Sequence, residues 1–178
     1  MEDELHIPWT NDALEKLLRE VIKTGEAPKV DFKSSLTLGT GGEKAEIVKD
    51  VQAFATSYDQ AYRNHGFIII GAEPGKLLFT TFAQLTDKLQ STIDQIIREH
   101  LGPFVPTHVR QFGSDKERWG VSVIPPSRNS PHIFIRDTDR FKRGDVYVRA
   151  GTTTSKAEPA DFPRVARMHL GDQTYVLP

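Results

Sequence analysis

The run "GFIIIGAE", residues 66–73, restricts the fold more than any other stretch of this chain. A phenylalanine and three isoleucines follow one another without polar alternation, between Gly66 and Gly71. A strand of that kind is buried on both faces, so it belongs at the centre of a sheet with other elements packed above and below. Its uninterrupted apolar part, "FIII", is far too short for a membrane span, which needs about 20 residues.

The segments around it carry other periods. Leu14, Leu17, Leu18, Val21 and Ile22 recur at helical spacing in "NDALEKLLREVIKTG", with Thr10 or Asn11 as N-cap and Gly25 as terminator. "KVDFKSSL" alternates instead, so Val30, Phe32 and Ser34 take one face of a strand and Asp31, Lys33 and Ser35 the other. After the loop "TLGTGGEK", a second helix has Ile47, Val48, Val51, Phe54 and Tyr58 on its apolar stripe, and a third has Leu89, Ile93, Ile96, Ile97 and Leu101. "GPFVP" stops the third helix. The strands "THVRQF", "RWGVSVIPP", "HIFIR" and "DVYVRAG" follow, and a last short helix is expected from near Ala157. Helices early and strands late describe an α+β fold with a mixed β-sheet and flanking helices. At 178 residues the chain reads as a single domain, 1–178.

Composition excludes several classes. There is no cysteine, so there are neither disulfides nor thiolate metal ligands. The acidic N-terminus "MEDELHIPWT" is no signal peptide, and a soluble, cytoplasmic protein is expected. The net charge of −1 conceals an asymmetry. Residues 1–106 hold 11 Lys/Arg against 16 Asp/Glu, whereas residues 107–149 hold nine against five. The two parts form either ordinary solvated surface or the walls of one groove suited to a polyanion beside a cation.

Few residues carry a chemical signature of their own. "GTGGEKAE" precedes a helix but lacks the Walker spacing, and a surface loop is the simpler reading. The histidines show no metal-ligand spacing, and His108 and His132, in the basic part, read either as surface residues or as contacts to RNA. The carboxylates remain. Glu26 precedes a strand, Asp31 lies on it, and Glu73 follows the central strand. If the strands are neighbours, three hard oxygen ligands can converge on Mg²⁺ or Mn²⁺, with Lys33 beside the scissile phosphate. Two charges on an exposed strand face would look the same.

The order of motifs adds to this. "E…VDFKSSL", "KAEIVKDVQAFAT", "GFIIIGAE", "GVSVIPPSRNSPHIF" and "VYVRAGTTTSKA" together resemble the Schlafen AlbA-like domain family, over roughly residues 12–165. Asp31 stands where that pattern has glutamate, and "AFATSYDQAYRNHGF" replaces a more compact turn. The resemblance implies a divalent-metal-dependent endoribonuclease acting on structured RNA such as tRNA. Its metal-binding and catalytic acids would be Glu26, Asp31 and Glu73, with Lys33 as the family lysine. Arg149, Gly151 and Thr154 match a segment placed near the nucleic acid. Arg110, Arg128, Lys142, Arg143 and Arg149 are the expected grip on the RNA backbone. Alternatives are a non-catalytic DNA- or RNA-binding regulatory module, or an ATP-binding or assembly subunit that works as a homo-oligomer or beside another chain.

Overall fold

In a computed structural model, residues 7–57, 64–79, 88–114, 116–127, 129–163 and 165 are described. Helix α1 (Asn11–Thr24) is capped by the Thr10 side chain, which accepts the Ala13 N–H, and ends at Gly25 with φ 91°. Only glycine adopts that left-handed backbone at little cost. Strand β1 (Val30–Lys33) is followed by α2 (Gly41–Thr56), then β2 (Gly66–Ile70), β3 (Ala72–Glu73) and β4 (Lys76–Leu77). Helix α3 (Leu89–His100) leads into β5 (Leu101–Gly102), β6 (His108–Ser114), β7 (Glu117–Ile124), β8 (Ile133–Phe134), β9 (Tyr147–Ala150) and β10 (Thr153–Lys156).

The main sheet has the order β1-β2-β7-β6, with β1 parallel to β2 and the other pairs antiparallel. This is the mixed sheet of an α+β fold. All five residues of β2 are buried, as an interior strand demands. On one face Val30, Phe67, Ile69, Trp119, Val121 and Val123 pack with Leu14, Leu18, Val21 and Ile22 of α1. On the other, Ile68, Ile70 and Ile124 meet Val48, Val51 and Phe54 of α2 and Ile93 and Ile97 of α3. Each such side chain contributes roughly 1.5–3 kcal/mol on full burial. α2 sits so close to the sheet that a Cβ at Gly66 would lie 2.7 Å from Phe54 Cγ.

Several sequence expectations need adjustment. The glycines of "TLGTGGEK" are not all loop, because α2 starts at Gly41. Thr40 and Glu43 form a capping box there: the Thr40 hydroxyl accepts the Glu43 N–H, and the Glu43 carboxylate accepts those of Gly39 and Thr40 and sets a negative charge at the helix start. Tyr58, expected on α2, lies outside the described residues. Helical backbone at the C-terminal end begins at residue 162 rather than near Ala157, after a turn in which Asp161 N–H donates to Glu158 O. Among the described residues no helix is long and apolar enough to cross a membrane.

Candidate functional site

The alternation in β1 sends Asp31 and Lys33 to the face covered by α2. Their partners across β2 are Ile68 and Ile70, which belong to the α2 side of the core. The side chain that meets them is Asp50 of α2, which the sequence reading did not select. Lys33 Nζ lies 2.7 Å from Asp50 Oδ2 and 2.9 Å from Asp31 Oδ2. Asp50 is 4% exposed. Burial drives its pKa upward, against the pull of the Lys33 ammonium. Burial also works against the charged form of Lys33, but attraction first by Asp50 and then by Asp31 outweighs it, and the Lys33 pKa is raised. Lys33 is therefore a fixed cation at neutral pH and cannot act as a base. A signal for Asp50 was available, since it stands three residues after Ile47 and four before Phe54, inside the apolar stripe.

From this centre opposite charges alternate along α2. Lys49 Nζ stands 3.7 Å from Asp50 Oδ1 and 2.6 Å from Glu46 Oε2. Glu46 Oε1 then accepts Arg140 Nη1 at 2.8 Å. Lys33, Ser35, Thr37, Thr40, Glu46 and Arg140 are among the residues lining a cleft of about 190 Å³. The acidic and basic parts of the chain thus meet at the Glu46–Arg140 pair.

The other two acids are placed differently. Glu26 and Glu73 are both exposed, and Glu73 lies on β3 opposite Lys76 of β4. Their backbones adjoin: a Cβ at Gly25 would stand 3.7 Å from Pro74 Cβ, and Gly75 N–H donates to Ile22 O at 2.7 Å. Among the described residues, however, no three His, Asp or Glu side chains are gathered so as to hold a metal ion. The donor set as placed does not fit Mg²⁺ or Mn²⁺, because an ammonium already stands between the Asp31 and Asp50 carboxylates.

The expected basic grip is divided. Lys142 and Arg143 are exposed on the loop before β9, where Lys142 Nζ lies 3.7 Å from Asp137 and the Arg143 N–H donates to the same carboxylate. Arg110 does not border the acids. Its cross-strand row runs through Val121, Ile69 and Phe32, which places it on the α1 face, and β6 lies at the opposite sheet edge from β1. Three strand spacings separate those edges by about 14 Å. Arg149 is 7% exposed and donates to main-chain oxygens, so it is not a surface contact for phosphate. Arg128 lies outside the described residues.

Of the four described histidines, His65, His100 and His132 are buried. His132 is buried; its Nδ1 lies 2.7 Å from Pro103 O and its Nε2 2.7 Å from Ser127 Oγ. A carbonyl only accepts, so Nδ1 carries the proton and Nε2 accepts the hydroxyl. His108 is partly buried on β6. Neither the surface nor the RNA-contact reading describes His132.

Lys29, also missed, is buried with Nζ donating to the carbonyls of Phe54 and Ser57 at the end of α2. That tie anchors the start of β1 to the helix that supplies Asp50.

Among known families, the model described as "Schlafen, AlbA_2" matches residues 26–158, three quarters of the chain. Comparison with curated proteins finds no match.

Proposed function

The chain belongs to the Schlafen AlbA_2 family, which points to a nucleic-acid-related function, and from that premise we propose that it binds structured RNA of the tRNA type in preference to DNA. The observation that carries this reading is the junction at Glu46–Arg140. It sets Arg140, from the exposed loop that also carries Lys142 and Arg143, at the cleft that Lys33 lines. Cations on that wall would contact backbone phosphates, while Asp31 and Asp50 hold Lys33 in place behind them. Phosphate contacts of this type release counterions, so affinity falls steeply with salt.

A second proposal is hydrolysis of the bound RNA at the same place. It is favoured by the pairing of Asp31 at 2.9 Å with Lys33, which lines that cleft. No step runs through a metal ion, since the carboxylates do not fit one while Lys33 stands between Asp31 and Asp50. Within this chain's own residues, Lys33 would offset phosphate charge as a permanent cation, Asp31 would take the proton of the attacking water as its oxygen bonds phosphorus, and the departing sugar oxygen would take a proton from solvent.

The experiment is fluorescence anisotropy with a hairpin RNA and a duplex DNA of matched length, at salt between about 50 and 200 mM. The expected result is tighter binding of the RNA, weakening with salt. Gel analysis of the same samples with Mn²⁺ or with EDTA tests hydrolysis. Absence of binding to either nucleic acid at the lowest salt would sink the reading.

A further inference from the structure

We propose that Arg149 is a positioning residue that clamps the turn between Glu26 and Asp31, and that it acts on the site through that turn instead of touching nucleic acid. The proposal rests on the nucleic-acid-binding reading for its affinity readout and on geometry for the rest. Arg149 lies on β9, opposite Thr154 of β10. Its Nε donates to Pro28 O at 3.2 Å, and its Nη2 to Val30 O at 2.9 Å and Ala27 O at 3.5 Å. Its Nη1 donates to Thr154 Oγ1 at 3.2 Å. The guanidinium carbon stands 4.8 Å from the centroid of the Phe54 ring of α2. Its main-chain N–H donates to Ser57 Oγ at 2.7 Å, which ties β9 to the end of the same helix.

These contacts share one target. Residues 27–30 form a turn closed by Val30 N–H to Ala27 O, and Arg149 reaches three of its four carbonyls. Glu26 enters that turn and Asp31 leaves it, with Lys33 two residues on, so its shape sets where the two acids and the cleft-lining lysine stand. Arginine suits the task because its planar fork presents five donors in fixed directions. Lysine would keep the charge but could not reach three carbonyls and a hydroxyl together. Burial opposes the Arg149 charge, while Asp31, Asp50 and Glu26 favour it. The Arg and Thr of the "VYVRAGTTT" segment are thus both engaged inside the protein, and Gly151, with φ 61°, makes the turn between them.

The test separates a positioning residue from a phosphate ligand by hydrogen exchange at the turn, read beside salt dependence. A side chain that touches phosphate contributes about 0.9 to the slope of log affinity against log salt; one that positions the site contributes nothing. Arg149→Lys and Lys142→Met are compared with wild type on the hairpin RNA, together with hydrogen exchange of the full chain. For Arg149→Lys the proposal expects lower affinity at every salt with an unchanged slope. It also expects amides of residues 26–33 to exchange at least about tenfold faster, as loss of one or two hydrogen bonds would give, with β6 and β7 unaffected. Lys142→Met should lower the slope and leave exchange alone. Normal exchange at 26–33 in Arg149→Lys would overturn the proposal at any slope, because lysine retains the charge that a phosphate contact needs. Should Arg149→Lys fail to fold, Thr154→Val removes one partner of the guanidinium without its charge and is read the same way. If wild type binds no nucleic acid, the functional reading fails by itself, and exchange at 26–33 still decides the clamp.

Discussion

Lys33 and Asp50, 17 positions apart in the chain, meet at 2.7 Å between the edge strand β1 and the helix that covers it. The contact joins a partly exposed cation to a buried carboxylate, so its two ends have unequal access to water. Loss of either partner therefore has unequal consequences.

Lys33→Met leaves Asp50 buried with Lys49 at 3.7 Å as its remaining ion-pair partner among the described residues. Breaking a fully buried pair costs about 3–5 kcal/mol; with Lys33 30% exposed, roughly 1–3 kcal/mol is expected here. Asp50→Leu should cost less, because Lys33 keeps Asp31 and solvent. The double variant should recover at least about 1 kcal/mol of the summed losses in urea denaturation. Strict additivity would show that the pair is not coupled. Because the Lys33 pKa is raised in the folded state, its stabilisation is complete below the ordinary lysine value of 10.5 and is lost only as pH rises through the higher folded value.

Asp31→Asn removes one negative charge beside Lys33 while Asp50 still holds the ammonium. The fold should persist. Affinity for hairpin RNA without added metal should stay level or rise by about 1 kcal/mol at most, a few-fold in the dissociation constant. Any RNA hydrolysis should disappear. A marked fall in affinity would instead show that Asp31 accepts a hydrogen bond from the RNA, and persistent hydrolysis would place the chemistry elsewhere.

Gly66→Ala places a methyl 2.7 Å from Phe54 Cγ and 2.8 Å from Phe54 Cβ. Neither α2 nor β2 can yield easily, since both are buried along their contact. Destabilisation of about 1–3 kcal/mol is expected. Phe54→Leu should relieve part of it when added to Gly66→Ala, although it is destabilising alone. Unchanged thermal stability of Gly66→Ala would mean that the helix stands farther from the sheet.

His132 has its pKa pushed down, chiefly by burial, from an ordinary value of 6.5. For a depressed histidine the stabilisation is present above the unfolded value and is lost as pH falls through the folded one, because only the unfolded chain takes up the proton at first. Stability should therefore decline with acidification from about pH 6.5. A His132→Gln variant should be less stable at pH 8 but show a shallower decline, by up to one proton. An identical slope in both proteins would place the titration at another group.

The central strand, the two faces of β1 and the capped amphipathic α1 were legible because each rests on a local pattern. Residues 66–70 are buried on both sides in any fold that keeps them in a sheet, and alternation alone puts Asp31 and Lys33 on one face. Family membership was legible for a related reason, since several short motifs keep their order along the chain.

What lay beyond the sequence is the partner on the other side. Alternation fixed parity within β6, but whether Arg110 shared a face with Asp31 depended on register carried through two intervening strands, and it does not. Exposure of Arg149 was equally undetermined by residue type. A guanidinium serves phosphate at a surface and backbone carbonyls in an interior with the same donors, and only the packing of β9 against α2 and the 27–30 turn chose the second. Asp50 was visible as an acid inside an apolar stripe, yet its cation stands on another element. The amino acids by themselves determined which side chains could carry charge into the core. The tertiary structure decided which charges meet, because burial makes an unmatched charge costly and only the assembled fold supplies the match.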